Sequence, residues 1–225
     1  MWQPQSFYSK YLLDQPVIFM GRDSVKGLYN FPGSRFAVVH SGNASLDKDA
    51  FRKALKAFEV KFIAKSWMNE PALDELKGTL SELDSFCPDV IVAVGGGSVI
   101  DGSKICRLYY EFPYFDAEKP NFSFLSFKTN FIAVPTTVGS GAEASSAAVL
   151  LNKESNKKEM VIHHSLRPDV VVLDPSFIKD SDKTLVYSSS LDGMAHITEG
   201  YVSNMDNHLS DVLAETESVR PVLTE

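Results

Sequence analysis

Asp89-Val-Ile-Val-Ala-Val-Gly-Gly-Gly-Ser-Val-Ile-Asp101 is the stretch on which the reading of this chain turns. The unbroken apolar run after Asp89 predicts a strand buried on both faces, the kind a parallel sheet uses. Three glycines and Ser98 then turn the chain into a segment whose Val99, Ile100 and Ile105 recur at helical spacing. Strand, glycine turn and helix bring backbone N–H groups to a point where a phosphate can sit at a helix N-terminus. The spacing is not Gly-x-Gly-x-x-Gly, and no Lys-Ser/Thr pair follows as in a P-loop. On this stretch alone, a turn with no ligand stays open.

Upstream, the same alternation is already running. Val17–Met20 reads as a short edge strand closed by Gly21, and Arg35–His40 as a clearer one, followed by Ser41-Gly42-Asn43. Leu46, Ala50, Phe51, Ala54, Leu55 and Phe58 recur at helical spacing, with acids early and lysines late, as the helix dipole favours. Residues 60–64 predict the next strand. Pro71 suits the first turn of a helix whose Leu73, Leu76, Leu80 and Leu83 share a face. This alternation predicts an α/β fold, a parallel sheet with helices on its faces. In such sheets ligands bind beyond the carboxyl ends of the strands, where the glycine turn lies.

Downstream, residues 111–130 are rich in rings: Phe112, Tyr114, Phe115, Phe122, Phe124 and Phe127. Two readings are open: an irregular loop packing its rings on the body, or a lid or lipophilic partner surface. Residues 131–134 predict another buried strand running into Pro135-Thr-Thr-Val-Gly-Ser-Gly-Ala-Glu-Ala-Ser-Ser146, a small, hydroxyl-rich second loop at the same sheet edge. Residues 146–151 and 160–163 flank a polar stretch and read as a hairpin, and 169–173 as the last strand. Beyond Pro175 the one strand candidate is a weak Leu185-Val186-Tyr187; helices are expected at 188–203 and 209–219. A boundary near residue 182 divides an α/β domain, 1–182, from the start of a helical one, 183–225. The latter is too short to bury a core of its own, so the chain is expected to be incomplete.

Composition bounds the function. The 225 residues are 44% hydrophobic and 23% charged, with net charge −7, which argues against nucleic acid as partner. No apolar run approaches the roughly 18 residues of a membrane span, and the N-terminus lacks a signal-peptide pattern. Cys87 and Cys106 form no framework or CxxC motif and are expected to be reduced thiols of a cytoplasmic protein.

One pair carries possible metal chemistry. Asp192 and His196 stand four apart in a predicted helix, which stacks them on one face within reach of one cation. A carboxylate and an imidazole suit Fe(II), Zn(II), Mn(II) or Co(II), but an Asp and a His at this spacing are more often a surface pair. Two ligands also fall short of a firm site, and His163, His164 and His208 do not obviously supply more. No serine sits in a nucleophile elbow with its partners.

Taken together, Gly95-Gly-Gly-Ser-Val-Ile-Asp101 with Lys104, then Pro135-Thr-Thr-Val-Gly-Ser-Gly-Ala-Glu143, then Leu173-Asp-Pro175, then Asp192-x-x-x-His196 with Glu199 resemble the iron-containing (group III) alcohol dehydrogenase family, in its order. The tail Asn207-His-Leu-Ser-Asp211 resembles that family's next helix start. The resemblance implies a Rossmann-like nucleotide-binding domain followed by an all-helical metal-binding one, a dehydroquinate synthase-like fold. It implies that Gly96, Gly97, Ser98 and Asp101 hold the pyrophosphate and neighbouring cofactor groups. Thr136, Thr137, Ser145 and Lys158 would line the rest of the site for NAD or NADP. Asp192 and His196 match the first two ligands of a divalent metal, Fe(II) or Zn(II). The implied activity is hydride transfer between an alcohol carbon and nicotinamide, with a small alcohol, aldehyde or sugar-derived substrate, in a dimer.

Departures from the pattern matter. The family's two further metal-binding histidines lie downstream of residue 225. Where the family carries an aspartate for the adenosine ribose, Ser41-Gly42 offers no acid, which tilts the expectation toward NADP or dual use. The second loop reads Val-Gly-Ser-Gly-Ala where the family often has Ala-Gly-Thr-Gly-Ser. Dehydroquinate-synthase-like lyases share the fold and the Gly-Gly-Gly-x-x-x-Asp turn but differ in this loop. A non-catalytic nucleotide-binding fragment is the other alternative.

Overall fold

A computed structural model describes residues 16–42, 46, 48–117, 120–122, 125–153, 157–179, 181–203, 208, 211, 212, 214 and 215. Six strands form one parallel sheet: β1 (Val17–Met20), β2 (Arg35–His40), β3 (Glu59–Ala64), β4 (Val90–Gly95), β5 (Asn130–Pro135) and β8 (Val170–Leu173). Their order across the sheet is β1-β8-β5-β4-β2-β3. The chain steps outward from β2 to β3 and then returns to lay β4 on the other side of β2. The order therefore reverses between β2 and β4, which is where sheets of this kind open a crevice at their carboxyl edge.

Period-two alternation explains the two cores. Phe36, Val38, Val90, Val92, Val94, Ile132 and Val134 face one way, onto Phe51, Ala54 and Leu55 of helix α1 (Asp49–Leu55). Ala37, Val39, Ile91, Ala93, Phe131 and Ala133 face the other way, onto helices α2 (Leu73–Phe86) and α3 (Gly97–Glu111). Every residue of β4 is buried, as its unbroken apolar run requires. The polar stretch after β5 is flanked by an antiparallel hairpin of β6 (Ala147–Asn152) and β7 (Lys157–Ile162), which forms its own small sheet against α3.

Three sequence expectations need correction. Pro71 does not start α2: Ala72 is the N-cap, its N–H donating to the Glu75 carboxylate at 3.0 Å. The Pro71 carbonyl instead accepts from Leu151 N–H at 2.8 Å and joins the hairpin to the body. Helix α1 stops at Leu55 rather than reaching Phe58, whose ring turns in to stack on Phe36 at 4.1 Å. Leu185, Val186 and Tyr187 are not a strand but the start of helix α4 (Lys183–Val202), because the Asp182 carboxylate accepts from Thr184 N–H at 2.8 Å and caps it.

The ring-rich stretch packs on the body: Phe112, Phe115, Phe122 and Phe127 lie partly buried against the core, while Tyr114 stands exposed. Phe124, Asn207 and most of the helix expected at 209–219 lie outside the described residues. Among those described, no helix is long and apolar enough to cross a membrane.

Candidate nucleotide and metal site

Both loops leave the sheet at one level, since Gly95 and Pro135 are register partners and Thr136 N–H donates to the Gly95 carbonyl at 3.0 Å. Gly96 caps α3 with extended backbone and no side chain, and Gly97 and Ser98 open its first turn. Val99 and Ile100 N–H both donate to the Gly96 carbonyl; among the described residues no acceptor faces the N–H groups of Gly97 and Ser98. Such unmatched donors at the start of a 15-residue helix are a ready seat for a phosphate.

The glycines are there because the second loop needs the space. A Cβ on Gly97 would stand 2.7 Å from Ser140 Cβ and Oγ, and one on Gly96 would stand 3.2 Å from Thr137. The same second loop then meets α4. A Cβ on Gly139 would lie 2.1 Å from the Ser189 carbonyl oxygen and 2.8 Å from Asp192 Oδ2. Gly193 in turn lies against Val138. Glycine turn, second loop and the Asp192–His196 pair thus form one continuous set of contacts.

Within the pair, His196 Nδ1 lies 3.9 Å from Asp192 Oδ2 and 3.2 Å from the Gly139 carbonyl oxygen. A carbonyl only accepts, so Nδ1 carries a proton, and in the neutral ring the lone pair then lies on Nε2. That is how a backbone carbonyl fixes the tautomer of a metal-binding histidine. The side chains are 55% and 52% exposed for His196 and Asp192, so both donors can be approached from outside. The donor set therefore fits a divalent cation, but only part of its coordination sphere. Among the described residues no cluster of three or more His, Cys, Asp or Glu is present.

Lys104 holds the second loop in place. Its ammonium is fully buried and donates to the carbonyls of Ala142, Ser145 and Ala147 at 2.7, 2.9 and 2.7 Å, and reaches Asp101 at 3.3 Å. Burial pulls the lysine below its ordinary pKa, with Asp101 opposing. Burial also pushes Asp101 and Glu143 above the usual carboxylate range, with Lys104 opposing in each. Ser145 Oγ accepts from Ala147 N–H at 2.9 Å, which fixes its hydroxyl at the loop's exit. Lys158 lies on β7 with its ammonium paired to the Glu70 carboxylate.

The sequence reading missed a second contact to the glycine turn. From beyond β3, Lys65 Nζ donates to Ser98 Oγ at 2.8 Å and Trp67 Nε1 donates to the Ser98 carbonyl at 2.9 Å. A lysine and a tryptophan just past a strand's carboxyl end were the available signal.

The chain is thus an α/β protein that brings a glycine turn and a carboxylate–imidazole pair together at the carboxyl edge of one parallel sheet. The sequence profile of the family described as iron-containing alcohol dehydrogenase matches residues 16–175, and the chain belongs to that family. It is 36% identical over 165 residues to aldehyde-alcohol dehydrogenase 2 of Entamoeba histolytica, covering 68% of this chain and 19% of that protein. To the NADPH-dependent butanol dehydrogenase of Clostridium saccharobutylicum it is 28% identical over 207 residues, covering 88% of this chain and 53% of that one. The solved iron-containing alcohol dehydrogenase of Thermococcus thioreducens superposes with a TM-score of 0.78 at 29% identity, over 89% of this chain and 56% of that one. The chain thus spans from 19% to 53% of the length of these curated relatives.

Proposed function

We propose that this chain carries the nucleotide seat and the first two metal ligands of a metal-dependent NAD(P) alcohol dehydrogenase or aldehyde reductase. Residues 1–182 act as its nucleotide-binding domain and 183–225 as the start of its metal-binding helical domain. The observation that carries the reading is Gly139, whose loop touches the Gly96–Gly97 turn on one side and Asp192 and His196 on the other. Cofactor and substrate oxygen would then meet across a single loop.

In this reading Gly97 and Ser98 N–H groups hold the cofactor pyrophosphate, with Asp101 in the next turn of the same helix. Thr136, Thr137 and Ser145 flank the nicotinamide side, and Lys158 completes the cofactor contacts. Asp192 contributes negative charge and His196 its Nε2 lone pair to a cation, Fe(II) or Zn(II). When bound, that cation would supply Lewis-acid polarisation of the substrate oxygen, and the nicotinamide a hydride acceptor or donor. Gly139 holds the imidazole in the orientation this requires. The exposed Ser41 and Gly42 at the end of β2 bring no carboxylate against a 2′-phosphate, which favours NADP. The substrate class is a small alcohol or aldehyde.

Fluorescence titration of the chain with NADH and NADPH, with and without Fe(II) or Zn(II), tests this. Binding of at least one nucleotide and metal-dependent alcohol oxidation by a preparation extended to the relatives' length are expected. Binding of neither nucleotide overturns the reading.

A further inference from the structure

Lys65 has no role in the reading above, yet it reaches the same seat from a different strand. It follows β3 directly, and its N–H donates to the His40 carbonyl at 2.9 Å, continuing the sheet edge. Its ammonium donates to Ser98 Oγ at 2.8 Å and to the Met68 carbonyl at 2.7 Å. Both acceptors are neutral, and among the described residues no carboxylate pairs with it. Two of its three N–H donors are spent, which leaves one.

The neighbourhood fixes this cation in place. Trp67 is buried, donates to the Ser98 carbonyl, and lays its ring where a Cβ on Gly102 would come within 2.2 Å. The lysine ammonium lies 6.0 Å from the centroid of that ring. A half-buried positive charge with neutral partners is costly, and burial holds Lys65 below the ordinary lysine pKa. An anion beside Ser98 would remove that cost. The first-turn N–H groups of α3 point to the same ligand chemistry independently of the lysine.

We infer that Lys65 is a phosphate-binding residue, its ammonium contacting a phosphate of the dinucleotide seated at the Gly96–Ser98 turn. The inference rests on the nucleotide reading of that turn. Two phosphates qualify, the bridging diphosphate and the 2′-phosphate of NADP, and the position of Ser98 in the first helical turn favours the diphosphate. Trp67 acts through Ser98 as a positioning residue.

The test is titration of wild type, Lys65→Gln and Lys65→Arg with ADP, NADH and NADPH. Gln keeps hydrogen bonding to Ser98 and Met68 but removes the charge, so a merely structural lysine would be rescued by it. Lys65→Gln is expected to weaken ADP, NADH and NADPH alike by about 10-fold, with Lys65→Arg losing less. A loss confined to NADPH assigns the contact to the 2′-phosphate. Wild-type affinity of Lys65→Gln for all three overturns the inference while leaving the nucleotide reading intact; failure of the wild type to bind any of them overturns both. Acetylation of Lys65 read by mass spectrometry, with and without ADP, needs no variant. Protection by ADP is expected, and equal labelling counts against the contact.

Discussion

His196 turns its Nδ1 onto the carbonyl of Gly139 at 3.2 Å, so one peptide group of the second loop sets the tautomer of the ring. The contact exists because position 139 has no side chain. Gly139→Ala would drive a methyl against the Ser189 carbonyl and the Asp192 carboxylate and push α4 away. We expect a stability loss of about 1–3 kcal/mol and metal affinity weakened by roughly 10- to 100-fold. Denaturant melts and a Zn(II) titration would show both; unchanged metal affinity would dissociate the loop from the pair.

Lys104 is predicted to be a structural cation rather than a reactive one. Its replacement by methionine would leave the carbonyls of Ala142, Ser145 and Ala147 without their shared donor and Asp101 without its partner. A loss of about 2–3 kcal/mol is expected for buried acceptors left unpaired. Nucleotide affinity should fall with it, since the loop facing Gly97 would be released. Urea unfolding of Lys104→Met beside a nucleotide titration checks both.

Nucleotide preference has a single-residue test. Among the described residues nothing lies within 4 Å of a Cβ placed on Gly42, so Gly42→Asp brings in a carboxylate that meets none of them. Added there, the negative charge should repel a 2′-phosphate and raise the Kd for NADPH by about 10-fold relative to NADH. An unchanged ratio would show that the end of β2 does not read the ribose.

Asp89 supplies a pH-dependent contribution to stability. Its carboxylate accepts from Ser34 Oγ at 2.7 Å, Ser34 N–H at 2.9 Å and Arg35 N–H at 3.0 Å. The Ser34 hydroxyl, then the backbone donors, hold its pKa below the ordinary carboxylate value of 3.8. The folded pKa is depressed, so the stabilisation is present above 3.8 and is lost as pH falls through the lower folded value. Asp89→Asn should cost about 1 kcal/mol near neutral pH, modest because the group is exposed, and the difference should shrink near pH 3. Urea midpoints at the two pH values decide it.

The sheet was legible in the sequence wherever burial on both faces left an unbroken apolar run, as in β4 and β5. Elements on the surface were harder. The sequence pattern places the start of helix α4 at 188 rather than 183, because none of its residues is buried and its apolar pattern carries no core face to find. Its true start is marked by the Asp182 cap, a polar signal rather than a periodic one. The two loops were placed at one edge from the order of elements alone, and the register of Gly95 with Pro135 agrees. What order could not give was the Lys65 and Trp67 contact to Ser98, because these side chains reach past β2 from the end of β3 to a residue more than thirty positions away.

Among the described residues the first strand lies at the sheet's edge and its one neighbour is the last: Val17 pairs with Val170 and Met20 with Leu173. Among the described residues, strand β1 therefore finds its template only once nearly the whole α/β unit has been synthesised and β8 has docked on β5. Pairing so remote in sequence is slow, because chain closure must precede any contact that rewards it. During translation, Val17, Ile18 and Phe19 would wait for their β8 partners while β2 to β5 assemble. The folding rate, and the window in which the nascent chain is vulnerable to aggregation, would then be governed by the arrival of Val170–Leu173.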